Sequence, residues 1–200
     1  MDRKPQQRAV ESRKKLIESA LLLFSTKGYY NTNMREISRT AGLSTGIFYH
    51  YFENKESLYM TLIEEYLKES YEMMKQIVAV PDRVDSKEEA EIELKKMMNY
   101  LFERAGSSNA LLADVETLKK TIDGLEDVMN NGLARITKCI EDYLREHYKE
   151  KDMHYEVMAR MIYVVTDTVS GDVLKEENVE VRAEYGKVFV REILHYLYEL

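Results

Sequence analysis

The stretch that decides the fold is "MREISRTAGLSTGIFYHYFENK", residues 34–55, in which two short helical segments flank one glycine, Gly42. Its spacing predicts one helix that begins after Asn33 and ends at Gly42, and another that begins after Ser44 and ends near Phe52. Asn33 and Ser44 are residue types that cap the first turn of a helix. Two short helices joined by a tight, glycine-containing turn are typical of a helix-turn-helix unit.

The second of these helices carries rings on more than one side. Successive residues of a helix are separated by about 100°, which places Phe48 and Phe52 about 40° apart on one side. We expect these two rings and part of Tyr51 to pack against the preceding helices. Tyr49 and His50 point elsewhere and are expected to face outward. Two small residues of the first turn share this outward face: Thr45 and Gly46.

The outward face has the chemistry that duplex DNA requires. Small residues at the N-terminal end of a recognition helix let its backbone approach base edges in the major groove. The hydroxyl of Tyr49 and the ring of His50 can donate hydrogen bonds to phosphate oxygens. Arg35, on the preceding helix, is the best candidate to read a guanine edge, although it could contact a phosphate instead, and Lys55 can neutralise a further phosphate.

Charge is distributed unevenly along the chain. Residues 1–55 hold ten Lys or Arg and five Asp or Glu, a net charge of +5, whereas residues 56–200 hold 19 basic and 31 acidic residues, a net charge of −12. The total is the −7 of the whole chain. A basic head on an acidic body is expected when only one end meets an anionic polymer. The basic residues include the cluster Arg13, Lys14 and Lys15, which is a candidate phosphate contact or a solvated face.

The rest of the chain has helical periodicity throughout and contains only two prolines. We therefore predict an all-α protein of about nine helices. Residues 1–54 form a helix-turn-helix DNA-binding domain in this interpretation, and residues 55–200 form a helical ligand-binding and dimerisation domain. The single cysteine, Cys139, excludes an internal disulfide bond and fits a reducing compartment. With no apolar window long enough for a membrane span and no secretory signal pattern, the expected location is the cytoplasm.

The segment at residues 29–59 resembles the DNA-binding signature of TetR-family transcriptional regulators. The residues that match the pattern are Arg35, Glu36, Ile37, Ala41, Gly42, Ser44, Gly46, Tyr49, Phe52, Lys55, Glu56 and Leu58. Two positions depart from it: Thr45 replaces the usual lysine, and Ile47 replaces a threonine that often contacts phosphate. The resemblance implies that six residues lie at or near DNA: Ser44, Thr45, Tyr49, His50, Tyr51 and Lys55.

The resemblance also implies that the body binds a small inducer and that binding changes the spacing of the two recognition helices in a dimer. Flexible methionines and tyrosines on apolar helix faces favour an adaptable hydrophobic pocket, although each of them is also typical of ordinary core packing. The inducer could be a neutral or anionic lipid-like molecule or a cationic one. The candidate lining residues are Tyr66, Met73, Met97, Tyr100, Leu101, Met129, Met158 and Ile162.

The last two predicted helices have apolar faces too large for a terminal hairpin alone. By resemblance, two such helices from each subunit form the bundle that joins the dimer, and a two-fold dimer predicts a palindromic operator. The residues of these faces are Met158, Ile162, Val165 and Val169 on one helix and Tyr185, Val188, Phe189, Ile193 and Leu197 on the other.

Two alternatives to a ligand-responsive repressor follow from the same residues. The body could dock a protein partner instead of a small molecule while the head still binds DNA. An enzyme is disfavoured, because the histidines and Cys139 have no zinc-ligand spacing and the chain has no Gly-rich phosphate loop and no nucleophile elbow. We therefore expect no catalytic residues, no metal and no cofactor.

Overall fold

The regular elements of the described part of the chain are all α-helices. The computed structural model describes residues 5–78, 88–89, 91–92, 95, 111–148, 154–173 and 178–198. The helices that it bounds are α1 (Pro5–Lys27), α2 (Met34–Thr40), α3 (Thr45–Tyr51), α4 (Lys55–Val78), α5 (Val115–Leu118), α6 (Leu125–His147), α7 (Tyr155–Val173) and α8 (Val179–Tyr198).

The all-α prediction is confirmed. The eight helices bounded above correspond to eight of the nine that the periodicity predicts. The ninth predicted helix was inferred from five apolar residues that lie outside the described residues: Leu94, Met97, Met98, Leu101 and Phe102. No helix in the described ranges is long and apolar enough to cross a membrane.

Local hydrogen bonds explain where the short helices begin. The Asn33 side chain accepts a hydrogen bond from the backbone N–H of Glu36 at 3.0 Å, which satisfies one of the free donors at the start of α2. Ser44 accepts from the N–H of Ile47 at 3.4 Å at the start of α3. Asn54 accepts from the N–H of Ser57 at 2.7 Å at the start of α4. The caps by Asn33 and Ser44 were predicted from residue type.

Two glycines allow the tight connections between the first three helices. Gly28 follows α1 with φ = 79°, and its N–H donates to the carbonyl of Phe24 at 2.9 Å. Gly42 lies between α2 and α3 with φ = 68°. These backbone angles are in the left-handed region, which costs little only when no Cβ is present. The turn of the helix-turn-helix therefore depends on Gly42.

The chain divides into two compact units, and the first comprises Met1–Leu67 and Ser107–Asn130. Helices α1, α2 and α3 pack together in this unit. Large side chains from these helices and from α4 are almost completely buried in it, each contributing on the order of 1.5–3 kcal/mol to folding. The most deeply buried of them are Leu16, Phe24, Ile37, Phe48, Leu58, Tyr59 and Ile63.

A cluster of aromatic rings connects separate parts of the first unit. The ring centroids of Phe24, Tyr29 and Tyr59 lie 5.2–5.9 Å apart. The buried hydroxyl of Tyr59 donates to the carbonyl of Leu111 at 2.9 Å, and the carboxylate of Asp114 accepts from the N–H of Tyr29 at 3.2 Å. Burial raises the pKa of Tyr29 to about 12 and raises that of Tyr59 as well. These contacts hold the segment that contains α5 against the aromatic cluster.

The second unit comprises Lys68–Gly106 and Asn131–Leu200. Helices α7 and α8 pack against each other within it. Its buried apolar residues include Met74, Ile136, Ile140, Leu144, Met158, Ala159, Ile162, Val190, Ile193 and Leu194. The division between the two units falls within α4 and within α6, not at residues 54 and 55. The predicted functional boundary at those residues stays a prediction, since packing units and functional domains are different divisions.

The hydroxyl of Tyr59 should contribute measurably to the stability of the fold. Substitution Tyr59→Phe removes the donor to the buried carbonyl of Leu111 and should lower the free energy of unfolding by about 1–3 kcal/mol. Urea denaturation followed by circular dichroism measures this change. The matched control is Tyr30→Phe, because the ring of Tyr30 is 56% exposed, and it should change stability by less than about 0.5 kcal/mol. Equal effects of the two substitutions would contradict the assigned role of the hydroxyl.

Candidate DNA-binding surface

Helix α3 has one buried side and one exposed side. Phe48 is completely buried and Phe52, which follows the last turn, is 5% exposed. Tyr49 is 53% exposed, and Gly46 and His50 are also exposed. Thr45 and Tyr51 are half-buried at the edges of the exposed side, and the cap residue Ser44 is exposed. This division of the rings agrees with the prediction from periodicity, whereas their contact with DNA stays a prediction.

The buried rings hold α3 against neighbouring helices. The ring centroids of Phe48 and Phe52 are 5.8 Å apart. The guanidinium of Arg13 on α1 lies 5.5 Å from the Phe52 ring and forms a 3.3 Å ion pair with Glu65 on α4. Arg13 therefore connects three helices of the first unit. Its position in the basic cluster of α1 gave no indication of this structural role.

Lys55 also has a structural role that its sequence position did not reveal. Its ammonium donates to the carbonyls of Tyr29 at 2.9 Å and Thr32 at 3.0 Å, and it lies 4.0 Å from the centroid of the Tyr29 ring. Desolvation by these surroundings lowers the pKa of Lys55. The ammonium thus fixes the turn that leads into α2. A phosphate contact by Lys55 stays a prediction, in addition to this role.

Arg35 is exposed on α2. Within the described part of the chain, no hydrogen bond or ion pair involves its guanidinium. The neighbouring Glu36 has a different environment, because its carboxylate is bonded to the ammonium of Lys27 and is mostly shielded from solvent. Arg35 therefore projects an uncompensated charge close to the helix-turn-helix, as a group that contacts a base edge or a phosphate requires.

The predicted pocket residues have varied surroundings. Met97, Tyr100 and Leu101 lie outside the described residues. Tyr66 and Met73 are half-buried on α4. Three others are buried in the apolar cores of the two units: Met129, Met158 and Ile162.

A groove of about 820 Å³ lies within the second unit, between the last turns of α4 and the polar side of α6. None of the five predicted pocket residues that the structure describes lines it. The groove is mixed in chemistry, with tyrosines and aliphatic stems between charged groups. Its lining residues are Tyr71, Lys75, Val78, Asn131, Ala134, Arg135, Lys138, Cys139, Asp142, Tyr143 and Glu146.

Two cationic side chains lie near the Tyr71 ring of this groove. The guanidinium of Arg135 lies 4.4 Å from the centroid of the Tyr71 ring, and the ammonium of Lys75 lies 5.6 Å from it. Lys138 bonds to Asp142 at 3.0 Å, which compensates one acidic group of the groove. Burial raises the pKa of the Cys139 thiol, so this residue is a neutral part of the wall. No group of three or more potential metal-ligating side chains occurs among the residues that the structure describes.

Helices α7 and α8 have apolar side chains that the described chain leaves exposed. Their spacing of three or four residues places those of each helix on one side. The exposed residues are Val157, Met161, Val164 and Val165 on α7 and Val181, Tyr185 and Val188 on α8. We refer to these seven residues as the apolar stripe.

The apolar stripe differs from the predicted dimer faces in its register. Met158, Ile162 and Ile193 were predicted to belong to those faces, but they are buried inside the chain. Val165, Tyr185 and Val188 are exposed, as a contact with a second subunit requires. The side chains of the other three predicted residues, Val169, Phe189 and Leu197, are outside the described set.

Residues 16–61 match the family model of bacterial regulatory proteins of the tetR family. This segment contains α2, α3 and the buried rings of Phe48 and Phe52. The chain is 33% identical over 93 residues to an uncharacterized HTH-type transcriptional regulator, YuxN, of Bacillus subtilis. That match covers 46% of this chain and 30% of the relative, so it spans less than a third of the relative's length.

A longer match relates the chain to the fatty acid metabolism regulator protein of Bacillus subtilis. The two are 21% identical over 173 residues, which are 84% of this chain and 87% of the relative.

Two solved structures with bound molecules share the fold over nearly the whole chain. One is the regulator FadR from Bacillus subtilis in complex with stearoyl-CoA, with a TM-score of 0.69, 19% identity and coverage of 94% of this chain and 98% of that one. The other is a regulator from Saccharomonospora viridis in complex with choline, with a TM-score of 0.76, 17% identity and coverage of 93% and 97%. At these identities the likeness shows the fold alone.

Proposed function

We propose that this chain is a member of the TetR family of bacterial helix-turn-helix transcriptional regulators and acts as a dimeric repressor, which a small amphiphilic inducer releases from a palindromic operator. DNA binding is supported most directly by the exposed side of α3, which buried Phe48 and Phe52 hold in place. Since its target is chromosomal DNA, it acts in the cytoplasm. The named relatives are transcription regulators, and no enzyme family is among them.

DNA binding by α3 divides its contacts into two classes. Tyr49 and His50 donate to phosphate oxygens and position the helix without reading sequence. Arg35 is long, exposed and uncompensated, so it reads a guanine edge through two parallel hydrogen bonds. Ser44, Thr45, Gly46 and Tyr51 lie around the same helix and complete the interface.

Dimerisation covers the apolar stripe. Seven large apolar side chains, each between 38% and 57% exposed, are more than scattered surface residues, because they share one side of each helix. A second copy of the chain buries this stripe through the same residues, as a two-fold interface requires. The dimer then presents two α3 helices to half-sites roughly 34–36 Å apart, or a multiple of that distance.

The groove in the second unit supports an anionic amphiphile as the inducer. Arg135 and Lys75 already lie on the Tyr71 ring, so a cationic guest there would meet like charge. An acyl-CoA combines a polyanionic head with an apolar tail, and stearoyl-CoA is bound by the Bacillus subtilis regulator FadR. Choline, bound by the Saccharomonospora viridis regulator, fits these charges less well. The groove also favours a small-molecule ligand over the alternative of a protein partner docked on the body.

If Arg35 reads a base, its removal should lower the affinity for DNA in a sequence-dependent way. With a duplex selected from a randomised library by the wild-type protein, Arg35→Ala should cost about 1–3 kcal/mol of binding and relax preference at one base pair. Tyr49→Phe should weaken binding to matched and scrambled duplexes similarly. Competition gel shifts measure both effects.

The charge control for Arg35→Ala is Lys120→Ala, which removes the same charge from an exposed residue outside the helix-turn-helix. It should change binding little. If Arg35→Ala weakened binding to matched and scrambled duplexes equally, Arg35 would contact phosphate only.

If the apolar stripe forms the dimer interface, a charged residue within it should prevent dimerisation. Met161 is 53% exposed in the single chain, and Met161→Glu would bury an unpaired carboxylate in the interface. Size-exclusion chromatography with light scattering should show a dimer for the wild type and a monomer for this variant. Val10→Glu is the control, since Val10 is 68% exposed on α1. A dimeric Met161→Glu variant would contradict the assigned interface.

The inducer assignment predicts selective stabilisation. Stearoyl-CoA should raise the melting temperature and release bound DNA, whereas choline at equal concentration should do neither, because a ligand stabilises only the state that binds it. Arg135→Gln should weaken the stearoyl-CoA effect, and Arg191→Gln, on an exposed arginine of α8, should not. Stabilisation by choline and not by stearoyl-CoA would overturn the assignment.

A further inference from the structure

Ile47 is an apolar residue that the packing of α3 does not use. It is 36% exposed, whereas the two phenylalanines of the same segment are buried, with Phe48 at 0% and Phe52 at 5%. A β-branched residue has only moderate helix propensity, so its presence in a seven-residue helix is not explained by local preference either. Its side chain is therefore available for an external contact.

The position of Ile47 places that contact at the start of α3. Its backbone N–H donates to the side chain of Ser44 at 3.4 Å, which fixes it in the first turn. At about 100° per residue it lies about 60° from His50 around the helix, on the exposed side. The adjacent Gly46 has no side chain, and a Cβ there would meet only the Ser44 hydroxyl at 3.8 Å. The space beside Ile47 is thus open to a close partner.

The first turn of a recognition helix is the part that reaches base edges in the major groove. A branched hydrocarbon has no donor or acceptor, so Ile47 cannot bond a phosphate or the polar edge of a base. Thymine is the one base that presents a methyl group in the major groove. The stiffness of an isoleucine side chain at χ1 also reduces the entropy lost when it is held against such a group.

We propose that Ile47 is a specificity-determining residue that contacts the C5-methyl group of a thymine in each half-site. This inference rests on the proposed binding of DNA by α3 and adds a base preference that hydrogen bonding does not supply. Through this contact α3 would recognise a base by an apolar group, in addition to the proposed hydrogen bonds of Tyr49 and His50 to phosphates.

The test removes one methyl group at a time from the DNA. Each thymine of the library-selected duplex is replaced by deoxyuridine, which keeps base pairing and removes only the C5-methyl. At one position in each half-site, the wild-type protein should lose roughly fourfold in affinity per methyl group, from the burial of one such group. Fluorescence anisotropy of labelled duplexes measures the dissociation constants.

Two variants test whether the Ile47 side chain causes this loss of affinity. Ile47→Ala should bind the thymine and the deoxyuridine duplexes equally at that position, since the contact is already lost. Leu22→Ala, which shortens a 55% exposed residue of α1, should keep the wild-type sensitivity. Because Ile47 is partly exposed, circular dichroism should show the same fold for each variant.

The outcomes separate this inference from the proposed function. If the wild type binds the duplex but loses no affinity at any deoxyuridine, or if Ile47→Ala keeps the same sensitivity, the thymine contact is wrong while DNA binding stands. If the wild type selects no duplex from the library at low salt, the proposed function fails and this inference fails with it.

Discussion

The burial of Phe48 and Phe52 is the constraint on which the rest of the first unit depends. The two rings occupy one side of α3 and leave Gly46, Tyr49 and His50 on the other. A helix of only seven residues has little stability of its own, because helix nucleation is unfavourable and few hydrogen bonds form. Its orientation is therefore set by the rings and not by its backbone.

Two basic residues of the head, Arg13 and Lys55, make structural contacts within the fold. Arg13 lies on the Phe52 ring and pairs with Glu65, and the ammonium of Lys55 holds two carbonyls of the turn before α2. Counting charges therefore overstates how many cations can meet DNA. Arg35 is the contrasting case, because it is exposed and has no such partner among the described residues. This difference makes it the better candidate for a specific contact.

The local features of the fold could be predicted from the sequence because their causes are local. Asn33, Ser44 and Gly42 act within three or four residues of themselves. The contacts of Lys55 could not be predicted, since its acceptors at Tyr29 and Thr32 are 26 and 23 positions away.

Periodicity identified apolar helix sides, but it could not tell which residues another helix of the same chain covers. For example, Met158 and Ile162 were predicted to face a second subunit but are core residues, while Met161, one position from Ile162, is exposed. The groove was missed because it lies along the polar side of α6, which a hydrophobic pattern excludes.

In the proposed function, α3 meets duplex DNA through its exposed side. The most direct measurement is the amide NMR spectrum of isotopically labelled protein titrated with the selected duplex. The largest chemical-shift changes should occur at the amides of Gly46, Ile47, Tyr49 and His50. Largest changes outside residues 34–55, with those four amides unaffected, would contradict DNA binding by α3.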